Sequence, residues 1–507
     1  MYLLGIDIGT SATKTVLFTH DGKPAASASA EYPLYQPKNG WAEQDPADWW
    51  NAVGETVKKA TAGIDTKEID GVGLSGQMHG LVLLDKEDRV MRRSIIWCDQ
   101  RTGAQAEELN ELLGEKALIE ITANPALTGF TAAKILWVKE NEPQVWAKVS
   151  KIMLPKDYIR YMLTGEFATE VSDAGGMQLL DVPKRRWSER LLKALEIDEK
   201  MLPKVFESIV ISGKVNKKAA ERTGLEIGTP VAGGGGDQAA GAIGSGIVKS
   251  GAASCALGSS GVVFAVADKP LVDPKGRIHT LCHAIPDTWH VMGVAQASGL
   301  SLKWLRDNFF TDVISTAGSM KVDPYYLMDK MAEKVPAGAD GLIYLPYLMG
   351  ERTPHRNPDC RGVFFGLSAA HGRAEMIRSV LEGVAFSLCD SLSIIRDLGI
   401  KTDFVRVAGG GAKSALWKQI IADCFDCELR TLVTDEGPAL GVALLAGVGS
   451  GIYKSIPEAC EAAVHDCASI LPNPGNTAKY SSFYGLYQRI YRSLEKNYKE
   501  LAEIEKR

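Results

Sequence analysis

The sequence predicts an α/β protein of two lobes built on one plan. Three observations carry that reading. The chain has 507 residues, too many for one ordinary core. An apolar share of 45% and a charged share of 23% are those of a globular protein with ample core material. A strand–turn–strand opening at the N-terminus also has an echo near residue 253.

In the first opening, "YLLGIDIG" and "KTVLFT" are short apolar runs on either side of a Gly-Thr-Ser turn. "HDGK" is an Asp-Gly turn into a third strand, "PAASASAEY". Helical and strand patterns then alternate through "PADWWNAVGETVKKAT", "GVGLSGQ" and "GLVLLD". In the echo, "ASCALG" runs through "SSG" into "VVFAVAD". Farther on, Met376, Ile377, Val380, Leu381 and Val384 have the spacing of a long amphipathic helix that Gly399 stops. "DFVRVAGGGAKSALWKQIIAD" reads as strand, glycine triplet and helix, and "ALGVALLAGVGSGIY" as a buried helix, too short and Gly-rich for a bilayer. The expected units are a first lobe at 1–245, a second at 246–480 and a charged helical tail at 481–507 packed on the outside.

Charge and cysteine usage exclude several classes. Lys plus Arg is 57 and Asp plus Glu is 62, for a net charge of −5 with no long basic run, so no nucleic-acid footprint is expected. The nine cysteines are odd in number and irregular in spacing, as reduced thiols are. Cys424 and Cys427 form a C-x-x-C inside a helical pattern and read as buried apolar side chains. "MYLLGIDIGT" has neither the basic start nor the apolar core of a signal peptide. The expectation is a cytoplasmic protein that meets no membrane.

No P-loop is present: in "GSGIVKS" Val248 stands where the second glycine must be. The G-x-G-x-x-G of Gly71, Gly73 and Gly76 runs on into another strand, whereas a dinucleotide fingerprint needs a helix there. Three other small-residue turns follow apolar strands: Asp7–Lys14, Leu257–Gly261 and Ala408–Ser414. Such turns can aim backbone N–H groups at an anion, with hydroxyls of Thr10, Ser11 and Ser259 adding bonds, or can be ordinary tight turns. Two of them fit a phosphate clamped between lobes; the third could let a nucleoside lie on bare backbone. Asp7 ends the first strand and suits Mg²⁺ held through water, or an Asx turn. Asp237 follows "TPVAGGGG" at a strand-to-helix switch, where ligands of α/β sheets gather, and could equally cap the helix. The glycines before it suggest close approach of a ligand to the main chain. Gln77 and His79 of "GQMHG" could bond the hydroxyls of a polar ligand beside the apolar wall of Met78. "WCDQRT" and "GERTPH" are polar clusters whose Arg and Asp residues can pair with one another, and spacing alone assigns them no chemistry.

Taken together these stretches resemble the FGGY carbohydrate kinases, and within them the branch that phosphorylates xylulose. The likeness runs from "GIDIGTS" to about "PALGVALLAG" and includes "WAEQDPADWW", "QMHG", "GGGDQAAGA", "LGSSG", "GERTPH" and "GGGAKSALW" in family order. It implies the actin-like ATPase fold, two ribonuclease-H-like lobes around a cleft, and transfer of the ATP γ-phosphoryl group to the 5-hydroxyl of D-xylulose. By motif, Asp237 would be the general base and Asp7 would hold Mg²⁺ or tune the phosphate site. Gln77, Met78, His79 and Gln238 would line the sugar. Thr10 and Ser11 would meet phosphates from the first lobe, and Gly258 and Ser259 from the second. Gly299, Gly410 and Gly411 would lie along the nucleoside. A homodimer is a further expectation of the resemblance. Three positions depart from the family pattern: Gln238 and Cys98 stand where asparagine is common, and Ser259 replaces threonine. The alternatives are a family member acting on ribulose, L-xylulose or glycerol, an actin-like ATPase switch, and a non-catalytic sugar sensor.

Overall fold

The structure is a computed structural model that describes residues 1–434 and 436–505. Its first sheet has seven strands. The main ones are β1 (Tyr2–Ile8), β2 (Ala12–Thr19), β3 (Pro24–Glu31), β4 (Ile69–Gly76), β5 (Ile211–Lys214) and β6 (Pro230–Ala232), in the spatial order β5-β6-β4-β1-β2-β3. β1, β2 and β3 form an antiparallel meander, while β4 runs parallel to β1 and β6 parallel to β4. The second sheet repeats the plan. β7 (Gly251–Leu257) pairs antiparallel with β8 (Gly261–Ala267), β8 with β10 (Trp289–Ala295), and β10 with the edge strand β9 (His279–Cys282). On the other side β11 (Thr402–Ala408) and β12 (Glu428–Leu432) run parallel to β7, and β13 (Asp466–Ile470) closes the edge. The echo in the sequence is therefore a repeated topology: a three-stranded meander followed by two parallel strands in each sheet.

The period of two along β1 sorts its side chains between two cores. Leu4, Ile6 and Ile8 face Trp49, Val53 and Val57 of helix α1 (Pro46–Ala60). That helix starts because Asp45 caps it, its side chain accepting from Ala47 N, and Pro46 occupies the first helical position. The opposite face of β1 carries Leu3, Gly5 and Asp7. Leu3 packs with a helix from the far half of the chain, Gly437–Gly449, whose Leu440, Val442 and Leu444 share its core. The backbone of that helix lies against the sheet. A methyl group on Gly73 of β4 would stand 1.9 Å from Val442 O, and one on Gly5 would stand 2.0 Å from Ala439 O. This is what the glycines of the G-x-G-x-x-G do: Gly73 admits a helix. The helix also crosses Asp237–Gly244, where a methyl on Gly441 would sit 1.9 Å from Ala240 O. One element of the second half thus completes the first lobe at the base of the cleft.

A Gly73→Ala protein should be destabilised by ~1–3 kcal/mol or more, because the obstacle is backbone that cannot rotate away. A thermal melt indistinguishable from wild type would contradict this packing.

The C-terminal helix runs from Pro474 to Glu505, starting before the tail that the sequence suggests, and it is not merely applied to the outside. Tyr480, Tyr487, Tyr491 and Tyr498 are buried in the core of the second lobe. Tyr480 donates to Glu382 Oε1 at 2.8 Å, Tyr484 donates to Asp390 Oδ1 at 2.7 Å, and Tyr487 bonds Tyr347 at 2.7 Å. Glu382 and Asp390 belong to the long helix Arg373–Asp397, so the tail closes over buried carboxyls of that helix. No helix among the described residues is long and apolar enough to cross a membrane.

Candidate active site

Three adjacent strand ends bring the first lobe's site residues together. Asp7 of β1 pairs in register with Ser75 of β4, and Ser75 with Gly235 of the short strand Gly235–Gly236. Asp237 follows as the first residue of its helix. The residue in the cap position is Gly236, and no side chain caps the helix, so the capping role open to Asp237 is not the one it takes. The glycines before it serve the protein. Gly234 has φ +80° and a methyl there would stand 2.0 Å from Leu74 O, and one on Gly236 would stand 3.1 Å from Met78. Their bare backbone makes room for β4 and Met78.

Asp237 lines a cavity of about 180 Å³ between the lobes, with Met78, His79 and Gln238. Burial, with the nearby charge of Asp7 adding to it, pushes the Asp237 carboxyl up to about 7. Asp7 is raised too, chiefly by burial, with Ser75 and Lys14 opposing the shift. Its Oδ1 is buried without a hydrogen-bond partner among the described residues. No cluster of three or more metal-binding side chains occurs among them. A lone buried carboxylate oxygen beside a second carboxylate fits Mg²⁺, which is usually held by one or two carboxylates plus substrate phosphates and waters.

The loop carrying Asp237 is held from behind by buried charges. Lys156, Asp157, Glu170 and Asp173 are essentially inaccessible. Lys156 Nζ lies 2.7 Å from Asp157, 3.5 Å from Glu170 and 3.7 Å from Asp173, and it donates to Gly233 O at 3.4 Å. Ser172, which donates to Glu170 at 3.0 Å, accepts from Gly236 N at 3.1 Å.

His79 has φ +68°, an uncommon conformation for a side-chain-bearing residue. Its carbonyl accepts from Thr131 Oγ1 at 3.0 Å and Lys134 Nζ at 2.8 Å, which hold the bend. Its ring, pushed down to about 3 by burial, is neutral. Gln77 does not line the cavity. Its amide donates to Gln44 Oε1 at 2.7 Å and to Gly9 O at 3.4 Å, behind the first turn.

Thr10 and Ser11 lie in that turn, closed by Gly9 N to Ala12 O at 3.0 Å. Thr10 Oγ1 accepts from Trp97 Nε1 at 2.8 Å. In the second lobe Gly258 and Ser259 are exposed at the end of β7. Gly299 N donates to Gly258 O at 2.9 Å, and Leu300 N to Ser259 O at 3.1 Å, so the turn and the start of helix Gly299–Phe309 form one unit. Gly410 and Gly411 sit in a single 3₁₀ turn after β11, which is parallel to β7. A methyl on Gly411 would meet Leu257 Cβ and the Trp417 ring, each at 2.9 Å. The five second-lobe residues expected at the nucleotide thus share one rim of the second sheet.

Among the cavity-wall residues that sequence reasoning missed are Trp97, Phe130, His279 and Arg352. Trp97 and Arg352 come from the two polar clusters left without chemistry. Within the first of these, Asp99 and Arg101 do pair, at 2.7 Å, while Trp97 stays 40% exposed, a broad apolar plate on the cavity wall. The guanidinium of Arg352 makes no ion pair among the described residues.

The family model of the N-terminal domain of FGGY carbohydrate kinases matches residues 2–244, and that of the C-terminal domain matches 253–450. The xylulose kinase of Bacillus subtilis (strain 168) is 40% identical over 492 residues, 97% of this chain and 96% of that protein. The structure of a ligand-bound xylulose kinase from Lactobacillus acidophilus superposes with a TM-score of 0.92 at 29% identity, covering 99% of both chains. A gluconate kinase from Lactobacillus acidophilus does so equally, with TM-score 0.92 and 29% identity over 99% of both.

Proposed function

This chain belongs to the FGGY family of carbohydrate kinases, with the actin-like ATPase fold, and from that premise we propose that it transfers the γ-phosphoryl group of ATP to the 5-hydroxyl of D-xylulose. The observation that carries the reading is Asp237. Its carboxyl lines an interlobe cavity beside His79, Gln238 and Arg352 and is tuned to about 7, where a carboxylate can accept a proton near neutral pH. In the mechanism, the sugar lies against Met78 and Trp97, with His79 and Gln238 on its hydroxyls. Asp237 Oδ accepts the proton of the attacking hydroxyl as the oxygen–phosphorus bond forms and the bond to the β-phosphate oxygen breaks. Thr10, Ser11, Gly258 and Ser259 bind the phosphates from opposite lobes; Gly299, Gly410 and Gly411 bound the nucleoside. Asp7 would hold Mg²⁺, which when bound supplies charge neutralisation on the β- and γ-phosphate oxygens. Gln77 acts through Gln44 and the first turn and does not touch the sugar. Closing the lobes excludes water from the transfer. The enzyme would work as a cytoplasmic protein.

The pH dependence follows in sign from the raised Asp237 carboxyl. Below about 7 it carries a proton and cannot accept another, so kcat/KM should rise with pH, pass through half its plateau near 7 and level off about a unit above that. A profile flat from pH 5 to 8, ~three pH units across which a base of this kind must titrate, would contradict the assignment.

A second reading has one observation behind it. The Arg352 guanidinium makes no ion pair among the described residues, with only the charge of neighbouring Glu351 acting on it, and lines the cavity, as it would to hold the carboxylate of a sugar acid such as gluconate. Coupled ADP release with D-xylulose, L-xylulose, D-ribulose, glycerol and gluconate separates the two. The first reading requires D-xylulose to have the highest kcat/KM; gluconate in that place would favour the second.

A further inference from the structure

We propose that His279 is a specificity-determining residue: fixed by Asn124, it presents an acceptor-only Nε2 from the second lobe to a hydroxyl of the sugar, across the cavity from His79 of the first lobe. The inference rests on the sugar-kinase reading above and deepens it.

The argument starts at Asn124, which is fully buried. Its Nδ2 donates to Thr122 O and Thr280 O, each at 2.8 Å. Both partners are carbonyls, which only accept, so the orientation of the amide is settled and Oδ1 faces the other way. Oδ1 lies 3.0 Å from His279 Nδ1. An amide oxygen can only accept, so Nδ1 of His279 must carry the proton. In a neutral imidazole the other nitrogen is then a bare acceptor. His279 is 4% exposed, and burial together with the Arg352 charge holds its ring neutral. Its Nε2 bonds no described residue. Unlike the sealed and orphaned Nε2 of His283, it is not closed off from solvent, and it opens on the cavity that His279 lines.

His79 is built the same way. Its Nδ1 lies 2.8 Å from Gly176 O, so that nitrogen also carries the proton and Nε2 is an acceptor. Phe130 stands edge-on between the rings, 4.6 Å from His79 and 5.8 Å from His279. The two imidazoles come from opposite halves of the chain and are each locked by a partner that only accepts. They leave two acceptors separated by an apolar ring. A ligand with two hydroxyl donors suitably spaced satisfies both; one with fluorine, hydrogen or an ether oxygen in either place does not. Asn124 is a positioning residue, since it acts through the tautomer of His279.

The test uses D-xylulose and analogues in which one non-reacting hydroxyl at a time is replaced by fluorine, which cannot donate. At one carbon, wild-type enzyme should lose about 5- to 150-fold in kcat/KM, the cost of leaving a buried acceptor unmade. In His279→Gln, whose amide can donate as well as accept, the loss at that carbon should shrink to about twofold. Losses at other carbons should not change. Asn124→Leu frees the tautomer and should shrink the same loss while leaving the others. Independently of any variant, the ¹⁵N spectrum of the wild-type protein should show His279 as the neutral Nδ1–H form, the minority form of free imidazole. A Nε2–H signature there overturns the proposal. Fluorine losses that are the same in wild type and His279→Gln overturn it while leaving the kinase reading intact. A wild-type enzyme that phosphorylates no sugar overturns that reading first, and this inference with it.

Discussion

Asp237→Asn is expected to lower kcat by ~10²–10⁴-fold, the usual weight of general-base catalysis. The substitution keeps shape and hydrogen-bonding capacity but removes the only function the proposed mechanism asks of this side chain. Asp237 does not cap its helix, so no cap is lost. Its carboxyl is half-neutral near pH 7, so folding should not suffer from an amide there. Sugar affinity measured by calorimetry should therefore stay close to that of wild type, while steady-state turnover collapses. If KM rose with kcat unchanged, Asp237 would be a binding group and not the base.

The second large effect is structural. Lys156→Met should cost ~3–5 kcal/mol, the penalty for removing one partner from a buried ionic cluster. Lys156 faces Asp157, Glu170 and Asp173, and all four are essentially inaccessible. Asp173 is already pushed well above the usual carboxylate range by burial, and both of its oxygens lack hydrogen-bond partners among the described residues. Losing the ammonium leaves three carboxyls to share one dry site. The double variant Lys156→Met/Asp173→Asn should recover part of the loss, because one of those carboxyls is removed with it. The check is the denaturant midpoint of each variant at constant m-value. A midpoint for Lys156→Met equal to that of wild type would show that the cluster does not support the Asp237 loop.

Much of this architecture was legible because it is local. The meander of β1–β3, the turn at Thr10, the strand ending at Gly76 and the switch at Asp237 are written in consecutive residues, and so is their repeat in the second half. What was not legible depends on partners far away in the chain. Gly73 is explained by Val442 of a helix from the other half, which no window around Gly73 contains. Gln77 sits in the right motif, yet its amide is taken by Gln44 and Gly9. Trp97 and Arg352 look like members of self-pairing clusters; only the meeting of the lobes leaves them on the cavity wall. His279 carries no local signal at all, since its proton is placed by Asn124 of the opposite lobe. The tyrosines of the tail have helical spacing, but their burial follows from carboxyls on another helix that need donors.

The central claim is transfer of phosphate to a carbon-bound hydroxyl of D-xylulose, and ³¹P NMR of the enzyme with ATP, Mg²⁺ and D-xylulose tests it most directly. The account predicts a phosphate-monoester resonance coupled to the C5 methylene protons that grows as ATP is consumed and is absent with Asp237→Asn. Inorganic phosphate accumulating at the same rate with and without sugar, and no ester, would contradict it and leave an ATPase.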